Sequence, residues 1–191
     1  MSILLVRHGE TALNAARVLQ PADTPLGPRG IAQAAALAAR IAALAPAALL
    51  SSDLARARQT ADAISASTGL AVRTEALLQE RSFGDWRGQP WTTLAVPPGE
   101  LQEAPPGGES MADFERRVAA AWAAVLRWHA LLGGPLVVVT HGLVIHRMLS
   151  AHAALAEGAD MPQQLGNCSL SFIDATPPHA VSLLGCVQHL D

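Results

Sequence analysis

The length, composition and charge of the chain exclude several classes of protein at the outset. With 191 residues, half of them hydrophobic, the chain can bury a sizeable core, and we expect a single domain over residues 1–191. Its formal net charge of −3 offers no electrostatic attraction to nucleic acid or to an anionic membrane surface, so we expect neither as a partner.

The residue types that are missing narrow the chemistry further. All 13 lysine-plus-arginine positions are arginine, and tyrosine does not occur, which excludes a lysine Schiff base, a P-loop lysine and a tyrosine general acid. No apolar stretch reaches the roughly 18–20 residues of a membrane span. No basic segment precedes the first apolar run as in a secretory signal, so we expect a cytoplasmic location. The abundance of alanine, arginine and proline favours a GC-rich coding sequence and hence a bacterial source.

Strand and helix patterns alternate along the chain. The apolar run at 3–6 predicts a strand buried on both faces, and apolar residues at helical spacing predict a helix over residues 30–44. The later predicted elements are, in order, a strand at 47–50, a helix capped by Ser52 or Asp53 and ended by Gly69, a strand at 70–74, a long loop at 83–108, a helix that Ser110 and Asp113 open, a strand at 136–139 with a helix after it, and strands at 169–173 and 181–186. This alternation indicates an α/β fold, a three-layer α/β/α sandwich whose sheet is mostly parallel with an antiparallel pair at its C-terminal edge.

Two of the predicted strands continue into the same dipeptide, His-Gly. The strand at 3–6 runs into Arg7 and His8, and the strand at 136–139 is followed one residue later by His141. Ligands of open α/β sheets bind just beyond the carboxyl ends of the strands, so the two histidines meet at one site if the strands are neighbours. Two imidazoles beside a guanidinium predict a site for an anion, and phosphate fits this set best.

These strand-end motifs, together with others between them, resemble the signatures of the histidine phosphatase superfamily, also called the phosphoglycerate-mutase-like family. The matching segments occur in the family's order over most of the chain. They are Arg7-His8-Gly9-Glu10-Thr11 followed by Asn14, Asp23-Thr24-Pro25-Leu26 with Gly30, residues 51–57 with Thr60, Leu78-Gln79-Glu80 with residues 83–88, Gly108-Glu109-Ser110, and Val139-Thr140-His141-Gly142. The resemblance implies the same α/β/α fold and an activity on phosphomonoesters.

For phosphate binding, the resemblance implies a clamp of cationic and neutral donors. Arg7 and Arg56 would hold the non-bridging oxygens, because a planar guanidinium can bind two oxygens at once. His141, protonated when phosphate is bound, would add a donor opposite them. Asn14 would supply a neutral donor, and Gly142 lies where a helix N-terminus favours an anion.

For the chemical step, the resemblance implies one nucleophile and one acid. His8 would attack phosphorus through a neutral imidazole and form a phosphohistidine. Glu80 would protonate the leaving alkoxide and then activate water. Glu10 is the second choice for the acid, although its position next to the nucleophile favours a role in shaping the loop. Glu109 precedes a helix start and could approach the rim of the pocket.

Other residues have a structural interpretation as well as a functional one. Trp86 and Trp91 either line a substrate cleft or pack the long loop onto the domain. Arg58 lies on a different helical face from Arg56 and is expected to face solvent. Cys168 and Cys186 are expected to be buried, reduced thiols rather than a disulfide or metal pair.

No metal ion or cofactor is expected in this site. Phosphoryl transfer needs mainly positioning and charge neutralisation, which the arginines and histidines supply. His146 and His152 follow His141 at steps that do not align on one helical face, which argues against a metal site formed by these histidines. Asn14 has a structural interpretation too, as a helix cap.

The chain departs from the family pattern in two places. Pro21 follows Gln20 where glycine is common, and Gly27-Pro28 stands where the Pro-Leu pair is usually followed by threonine, so a backbone donor of the substrate-side loop is lost. The longer phosphoglycerate mutases of the family carry a Lys- and Tyr-rich insertion where this chain has residues 95–99, without either residue type.

These departures favour hydrolysis of a small phosphorylated metabolite, with inorganic phosphate as product. A phosphoglycerate-mutase-type transfer and a non-catalytic phosphate-binding module are the alternatives. The family's substrates span sugar phosphates, nucleotide-pathway and cofactor-pathway phosphates, including the ribazole phosphate of cobalamin synthesis, and phosphohistidine on proteins, so the substrate stays open at this point. A homodimer is possible, since alanine-rich helices can pack against each other or against a second subunit.

Overall fold

A computed structural model describes residues 2–190, and within them one six-stranded sheet lies between helices. The strands are β1 (Ser2–Arg7), β2 (Ala48–Ser51), β3 (Val72–Thr74), β4 (Leu136–Thr140), β5 (Leu170–Asp174) and β6 (Val181–Cys186). The helices are α1 (Ala12–Ala15), α2 (Pro28–Ala42), α3 (Ala55–Thr68), α4 (Met111–Ala130) and α5 (Gly142–His152). None of the helices in residues 2–190 is long and apolar enough to cross a membrane.

The strand order, β3-β2-β4-β1-β5-β6, places β1 and β4 side by side. They are parallel and in register, with Ile3 opposite Leu136 and Arg7 opposite Thr140. β2 and β3 extend the parallel part, whereas β5 pairs antiparallel with β1 and with β6. The predicted α/β/α fold with an antiparallel C-terminal edge is therefore confirmed.

Both faces of the sheet are buried under helices, which explains the uninterrupted apolar run of β1. Alternate residues of a strand point to opposite faces. Ile3 and Leu5 belong to the core under α4 and α5, whereas Leu4 and Val6 belong to the core under α2 and α3. Each face would therefore lose its packing if the register of β1 slipped by one residue.

The helix ends follow their local chemistry, with two differences from prediction. The helix predicted at 30–44 spans Pro28–Ala42, because proline at the first position has the backbone angle that a helix needs. α3 ends as predicted at Gly69, which adopts the left-handed conformation with φ of 74°. Its N-cap is Leu54 rather than Ser52 or Asp53, since both polar side chains are engaged elsewhere.

A short helix, α1, was not predicted. Thr11 caps it, accepting a hydrogen bond from the Asn14 amide nitrogen at 2.9 Å, while the Asn14 side chain accepts one from the Thr11 amide at 3.3 Å. This reciprocal pair is a capping box on a four-residue helix, too short to show helical periodicity in the sequence. The predicted capping of α4 by Ser110 is present, since its hydroxyl accepts from the Asp113 amide at 3.1 Å.

The long loop and the cysteines complete the comparison with the sequence predictions. Residues 83–108 contain two single-turn 3-10 segments, Gly84–Trp86 and Trp91–Thr93, and an isolated bridge from Pro90 to Val18, as expected of an irregular loop. Cys168 and Cys186 are both free thiols, as predicted. Only Cys168 is buried, so the expected burial of Cys186 was wrong; it is partly exposed beside Arg40 near the sheet edge.

Gly30 is required because α2 begins against the loop that follows β1. A Cβ atom at position 30 would overlap the backbone of Glu10, two residues after His8. Gly30→Ala should therefore destabilise the protein by about 1–3 kcal/mol, the usual cost of overpacking. This corresponds to a fall of the melting temperature by several degrees, which thermal unfolding followed by circular dichroism measures.

Gly133→Ala is the matched control for this substitution. Gly133 is exposed, and a Cβ atom there would have no neighbour within 4 Å, so its melting temperature should equal that of the wild type. A Gly30→Ala variant that melts with the control would show that the loop after β1 can shift freely.

Candidate active site

His8 lies directly after β1, with its ring held in one tautomer. Its Nδ1 is 2.7 Å from the Gly9 carbonyl oxygen. A carbonyl only accepts, so Nδ1 carries the proton and Nε2 keeps its lone pair. The His8 amide donates to the Thr140 carbonyl at 3.0 Å, which ties the residue to the end of β4. His8 is therefore oriented as a neutral ring with one free nitrogen.

The surroundings of His8 also favour the neutral ring. The residue is only 3 % exposed. Burial, followed by the positive charges of Arg56 and Arg7, holds the pKa of His8 well below its usual value. The ring thus remains unprotonated at neutral pH, the state that a nitrogen nucleophile requires.

His141 meets His8 as the two strand ends predict. The ring centroids are 5.1 Å apart, with the planes tilted by 58°. His141 Nε2 lies 2.9 Å from the Ser52 hydroxyl, while Nδ1 is buried and has no partner among residues 2–190. Burial and the nearby Arg56 lower the pKa of His141 well below its usual value, so the ring is neutral without an anion. A bound dianion would raise that pKa again.

Two arginines, the half-buried Arg7 and the buried Arg56, flank the histidines, and neither forms an ion pair with a carboxylate among residues 2–190. Arg7 donates through Nη1 to the Leu165 carbonyl, and Arg56, which is 2 % exposed, donates through Nη1 to the Pro21 carbonyl at 3.2 Å. The Nε atoms of both are buried without a partner within residues 2–190. Burial lowers the pKa of Arg56 to about 10, which still leaves it charged at neutral pH. Unpaired buried cations are costly, and an anion between them would remove that cost.

Two backbone amides hold the Glu80 carboxyl group, which is near enough to Arg56 and Arg7 for their charges to act on it. Its Oε1 accepts from the Arg81 amide at 3.0 Å and its Oε2 from the Leu143 amide at 3.2 Å. Burial raises the pKa of Glu80 above its usual value, although these two amides and the positive charges of Arg56 and Arg7 oppose the shift. A carboxyl group with a raised pKa keeps its proton longer as pH increases, which suits a general acid.

Asn14 and Gly142 lie beside Arg7. Asn14 combines both of its interpretations: it belongs to the capping box of α1, and it lines a cavity that Arg7 also lines. Its carbonyl oxygen is occupied by Thr11 and Asn167, which leaves its amide nitrogen for a ligand. A Cβ atom at Gly142 would lie 3.4 Å from Arg7 Nε, so glycine lets the guanidinium lie close to the start of α5.

Three polar residues to which the sequence analysis gave no role in the site support it. Ser52 orients His141. Thr60 accepts from the Gly9 amide at 3.0 Å and donates to the Arg56 carbonyl at 2.8 Å, one helical turn after Arg56. Asn167 donates to the His8 carbonyl at 3.0 Å. Ser52 and Thr60 lie within the segments that resemble the family, whereas no spacing in the sequence relates Asn167 to His8.

Three further residues considered in the sequence analysis, Glu10, Glu109 and Arg58, each form an ion pair. Glu10 pairs with Arg29 at 3.4 Å, consistent with a role in shaping the loop. Glu109 pairs with Arg117 at 2.7 Å and is not among the residues that line the cavity beside Arg7. Arg58 is exposed, as predicted, and pairs with Asp62 on its own helix.

A polar cavity of about 100 Å³ adjoins Arg7. Its walls come from the end of β1, from α1 and the turns around it, from the long loop, and from the loop between α5 and β5. The lining residues are Arg7, Glu10, Asn14, Ala15, Arg17, Trp91, Gln164 and Asn167. Trp91 is thus one of the residues that line this cavity, and Trp86 is not. A wider groove of about 560 Å³ near the start of α3 contains none of the predicted site residues.

The two arginines on α3 allow a matched test of the clamp. Arg56→Ala removes a buried cation, and each lost charged hydrogen bond should weaken binding of vanadate, a phosphate mimic, by about 1.5–3 kcal/mol. Arg58→Ala, on the exposed face of the same helix, should leave binding unchanged. Isothermal titration calorimetry measures both dissociation constants, and equal vanadate affinity in the two variants would remove Arg56 from the anion site.

Comparisons with known proteins place this geometry in a family. The profile of the histidine phosphatase superfamily (branch 1) matches residues 3–184. The probable phosphoglycerate mutase GpmB of Yersinia pestis is 35% identical over 184 residues, which cover 91% of this chain and 85% of the relative.

Solved structures agree with the sequence match. A mycobacterial glucosyl-3-phosphoglycerate phosphatase in complex with VO3 superimposes with a TM-score of 0.75 and 30% identity, covering 91% of this chain and 90% of that chain. YhfR of Bacillus stearothermophilus superimposes with a TM-score of 0.84 and 26% identity over 100% of this chain and 99% of that chain. The chain therefore belongs to the histidine phosphatase superfamily, and its relatives include both phosphatases and phosphoglycerate-mutase-like proteins.

Proposed function

We propose that the protein is a metal-independent phosphomonoesterase that hydrolyses a small phosphorylated metabolite through a phosphohistidine on His8. The observation that carries this proposal is the state of His8. The Gly9 carbonyl fixes its tautomer, while burial and, after it, the positive charges of Arg56 and Arg7 lower the pKa of His8 and keep the ring neutral. A neutral nucleophile between buried cations suits attack on a phosphate dianion.

In the first step, Nε2 of His8 attacks phosphorus as the bond between phosphorus and the ester oxygen breaks. Glu80 gives its proton to the departing oxygen, so the alcohol leaves neutral and Glu80 becomes a carboxylate. Arg7, Arg56 and His141 hold the three non-bridging oxygens and neutralise their charge. The product of this step is phosphohistidine.

In the second step, water takes the place of the alcohol. The Glu80 carboxylate accepts a proton from the water while the water oxygen attacks phosphorus. The bond between phosphorus and Nε2 breaks, and its electron pair returns to the His8 ring. Inorganic phosphate leaves, and both His8 and Glu80 regain their starting protonation states. The buried cations replace a metal ion in both steps, because they already supply the positive charge.

Hydrolysis is proposed over phosphoglycerate-mutase-type transfer because little in the chain would retain a second phosphate. Residues 95–99 have no cationic side chain, and residues 95–97 are exposed to solvent. The mutase remains the second candidate, supported by the 35% identity to a probable phosphoglycerate mutase. The mycobacterial phosphatase that binds VO3 supports the hydrolytic alternative, since its match covers 91% of this chain.

His8→Ala should reduce hydrolysis of p-nitrophenyl phosphate by at least about 1,000-fold, since the nucleophile is lost. The assay contains a metal chelator, which should leave wild-type turnover unchanged. His146→Ala, on α5, is the control and should keep wild-type activity. Acid-free quenching with radiolabelled substrate should trap phosphoprotein in the wild type but not in His8→Ala.

Three results would contradict the proposal. Full activity in His8→Ala would remove the phosphohistidine step, and loss of wild-type activity with chelator would require a metal. Interconversion of 2- and 3-phosphoglycerate without release of inorganic phosphate would favour the mutase.

Glu80→Gln should lower kcat/KM for alkyl phosphates far more than for p-nitrophenyl phosphate, whose leaving group departs without a proton. The raised pKa of Glu80 means that the acid form persists above the usual carboxyl range and is lost as pH rises through that pKa. Alkyl phosphate hydrolysis should therefore decline on the alkaline side in the wild type, and Glu80→Gln should lack that decline. Steady-state kinetics over a pH series checks this, and identical pH profiles would show that another group is the acid.

A further inference from the structure

The guanidinium of Arg117, on α4, donates hydrogen bonds to the backbone of the segment that carries Glu80. Its Nη1 donates to the carbonyls of Leu77 and Gln79 at 2.8 and 2.7 Å, and its Nη2 lies 3.3 Å from the carbonyl of Glu80 itself. These three carbonyls lie between β3 and α4, in a segment that contains no strand or α-helix. Its regular structure around them is the 3-10 turn Ala76–Leu78. A single half-buried guanidinium thus fixes the backbone of a segment that no strand or α-helix holds in place.

Glu109 closes the other side of the arrangement. Its two carboxylate oxygens accept from Nε and Nη2 of Arg117 at 2.7 and 2.8 Å, a two-point ion pair. One of these oxygens also accepts from the Ser82 amide at 2.8 Å. Arg117 and Glu109 are only 18 % and 21 % exposed, so solvent weakens this pair less than a surface pair. Together they hold the chain on both sides of Glu80.

The charge state of Glu109 suits this role. Burial alone would raise its pKa, but the hydrogen bonds from Arg117 and from the Ser82 amide outweigh burial and lower it. Glu109 therefore stays ionised, whereas burial keeps Glu80 inclined to hold its proton. Glu109 and Glu80, 29 positions apart in sequence, therefore differ in charge state: Glu109 is suited to an ion pair and Glu80 to donating a proton.

Arg81 links the same segment to the long loop. Its amide holds Oε1 of Glu80, and its buried guanidinium donates to the Glu109 carbonyl at 3.2 and 3.0 Å and to the Leu101 carbonyl at 2.6 Å. The peptide that binds the Glu80 carboxylate is thus fixed to the same residue that pairs with Arg117.

We propose that Glu109 and Arg117 are positioning residues for the general acid, setting the place of the Glu80 carboxyl through the backbone of residues 77–82. This inference rests on the proposed function. Neither side chain forms a hydrogen bond with Arg7, His8 or Arg56 within residues 2–190. A displacement of about 1 Å in a catalytic group can cost on the order of 100-fold in rate. The contacts that fix the backbone of residues 77–82 therefore matter to catalysis.

The test compares two leaving groups in Glu109→Gln, which keeps the size of the side chain and removes its charge. kcat/KM should fall about 10- to 100-fold for glycerol phosphate, whose alkoxide needs a proton. It should change less than about threefold for p-nitrophenyl phosphate, which needs none. kcat/KM is used because it reports formation of phosphohistidine and not its later hydrolysis.

Arg116→Ala is the matched control. Arg116 precedes Arg117 on α4, and its exposed side chain pairs with Asp113 rather than with the acid segment. This variant should keep wild-type kcat/KM on both substrates.

A double-mutant cycle separates positioning from general stability. In a Glu80→Gln background the acid is already lost, so adding Glu109→Gln should change kcat/KM for glycerol phosphate no further. The cycle also separates an effect through Glu80 from the weaker influence of the Arg117 charge on His141.

Equal losses on the two substrates, or an additive loss in the Glu80→Gln background, would overturn the proposal, as would unchanged kinetics in Glu109→Gln. If Glu109→Gln melts below the assay temperature, Arg117→Lys is measured in its place, because lysine keeps the charge but not the two-point contact. Its loss should again be confined to glycerol phosphate. The proposed function and the positioning role can fail separately. If phosphohistidine is trapped in the wild type but the variants lose kcat/KM equally on both substrates, the proposed function stands and only the positioning role is rejected.

Discussion

The parallel, in-register pairing of β1 with β4 is the constraint on which the rest of the structure depends. Arg7 lies opposite Thr140, and the next residue of each strand is a histidine. The amide of His8 bonds the carbonyl of Thr140, so the ladder continues to the edge of the site. A shift of one residue in this pairing would both separate the histidines and turn the apolar side chains of β1 to the wrong faces.

The second constraint is electrostatic. Two arginines and two neutral histidines are gathered in a buried space, with one partly buried carboxyl group nearby. Such a collection lowers stability in the empty protein, because cations are desolvated without full compensation. The well-packed cores on both faces of the sheet offset that cost. An anion that bound here would meet these cations already in place, which is what preorganisation means.

Much of this arrangement was accessible from the sequence, for physical reasons. The apolar runs before His8 and His141 predicted buried neighbouring strands, and the rule that ligands bind at strand ends predicted their meeting. Glu80 was different, since it follows no periodic element, and only the family resemblance indicated it. The predicted cap at Ser110 was correct, since its hydroxyl accepts from the Asp113 amide. The cap predicted at Ser52 or Asp53 was wrong, since the Ser52 hydroxyl contacts His141 and the Asp53 carboxylate accepts from Gln79.

The contacts that the sequence did not reveal join segments far apart in the chain. Asn167 bonds the carbonyl of His8, 159 positions away, and Arg117 bonds carbonyls about 40 positions before it. Neither contact has a local pattern, because a side chain that binds a distant carbonyl imposes no spacing on its own neighbours. Glu109 shows the same limit: its motif resembled the family, but its actual partner depends on how α4 packs against the acid segment.

The place of β1 in the sheet has a consequence for how the protein is made. β1 is synthesised first, yet both of its neighbours, β4 and β5, begin only at Leu136 and Leu170. At about 5–20 residues per second, translation leaves this apolar strand without a partner for on the order of ten seconds. During that interval both hydrogen-bonding edges of β1 lack their partner strands in the nascent chain. Shielding by the ribosome or by chaperones would matter more for this topology than for one that pairs its first strand early.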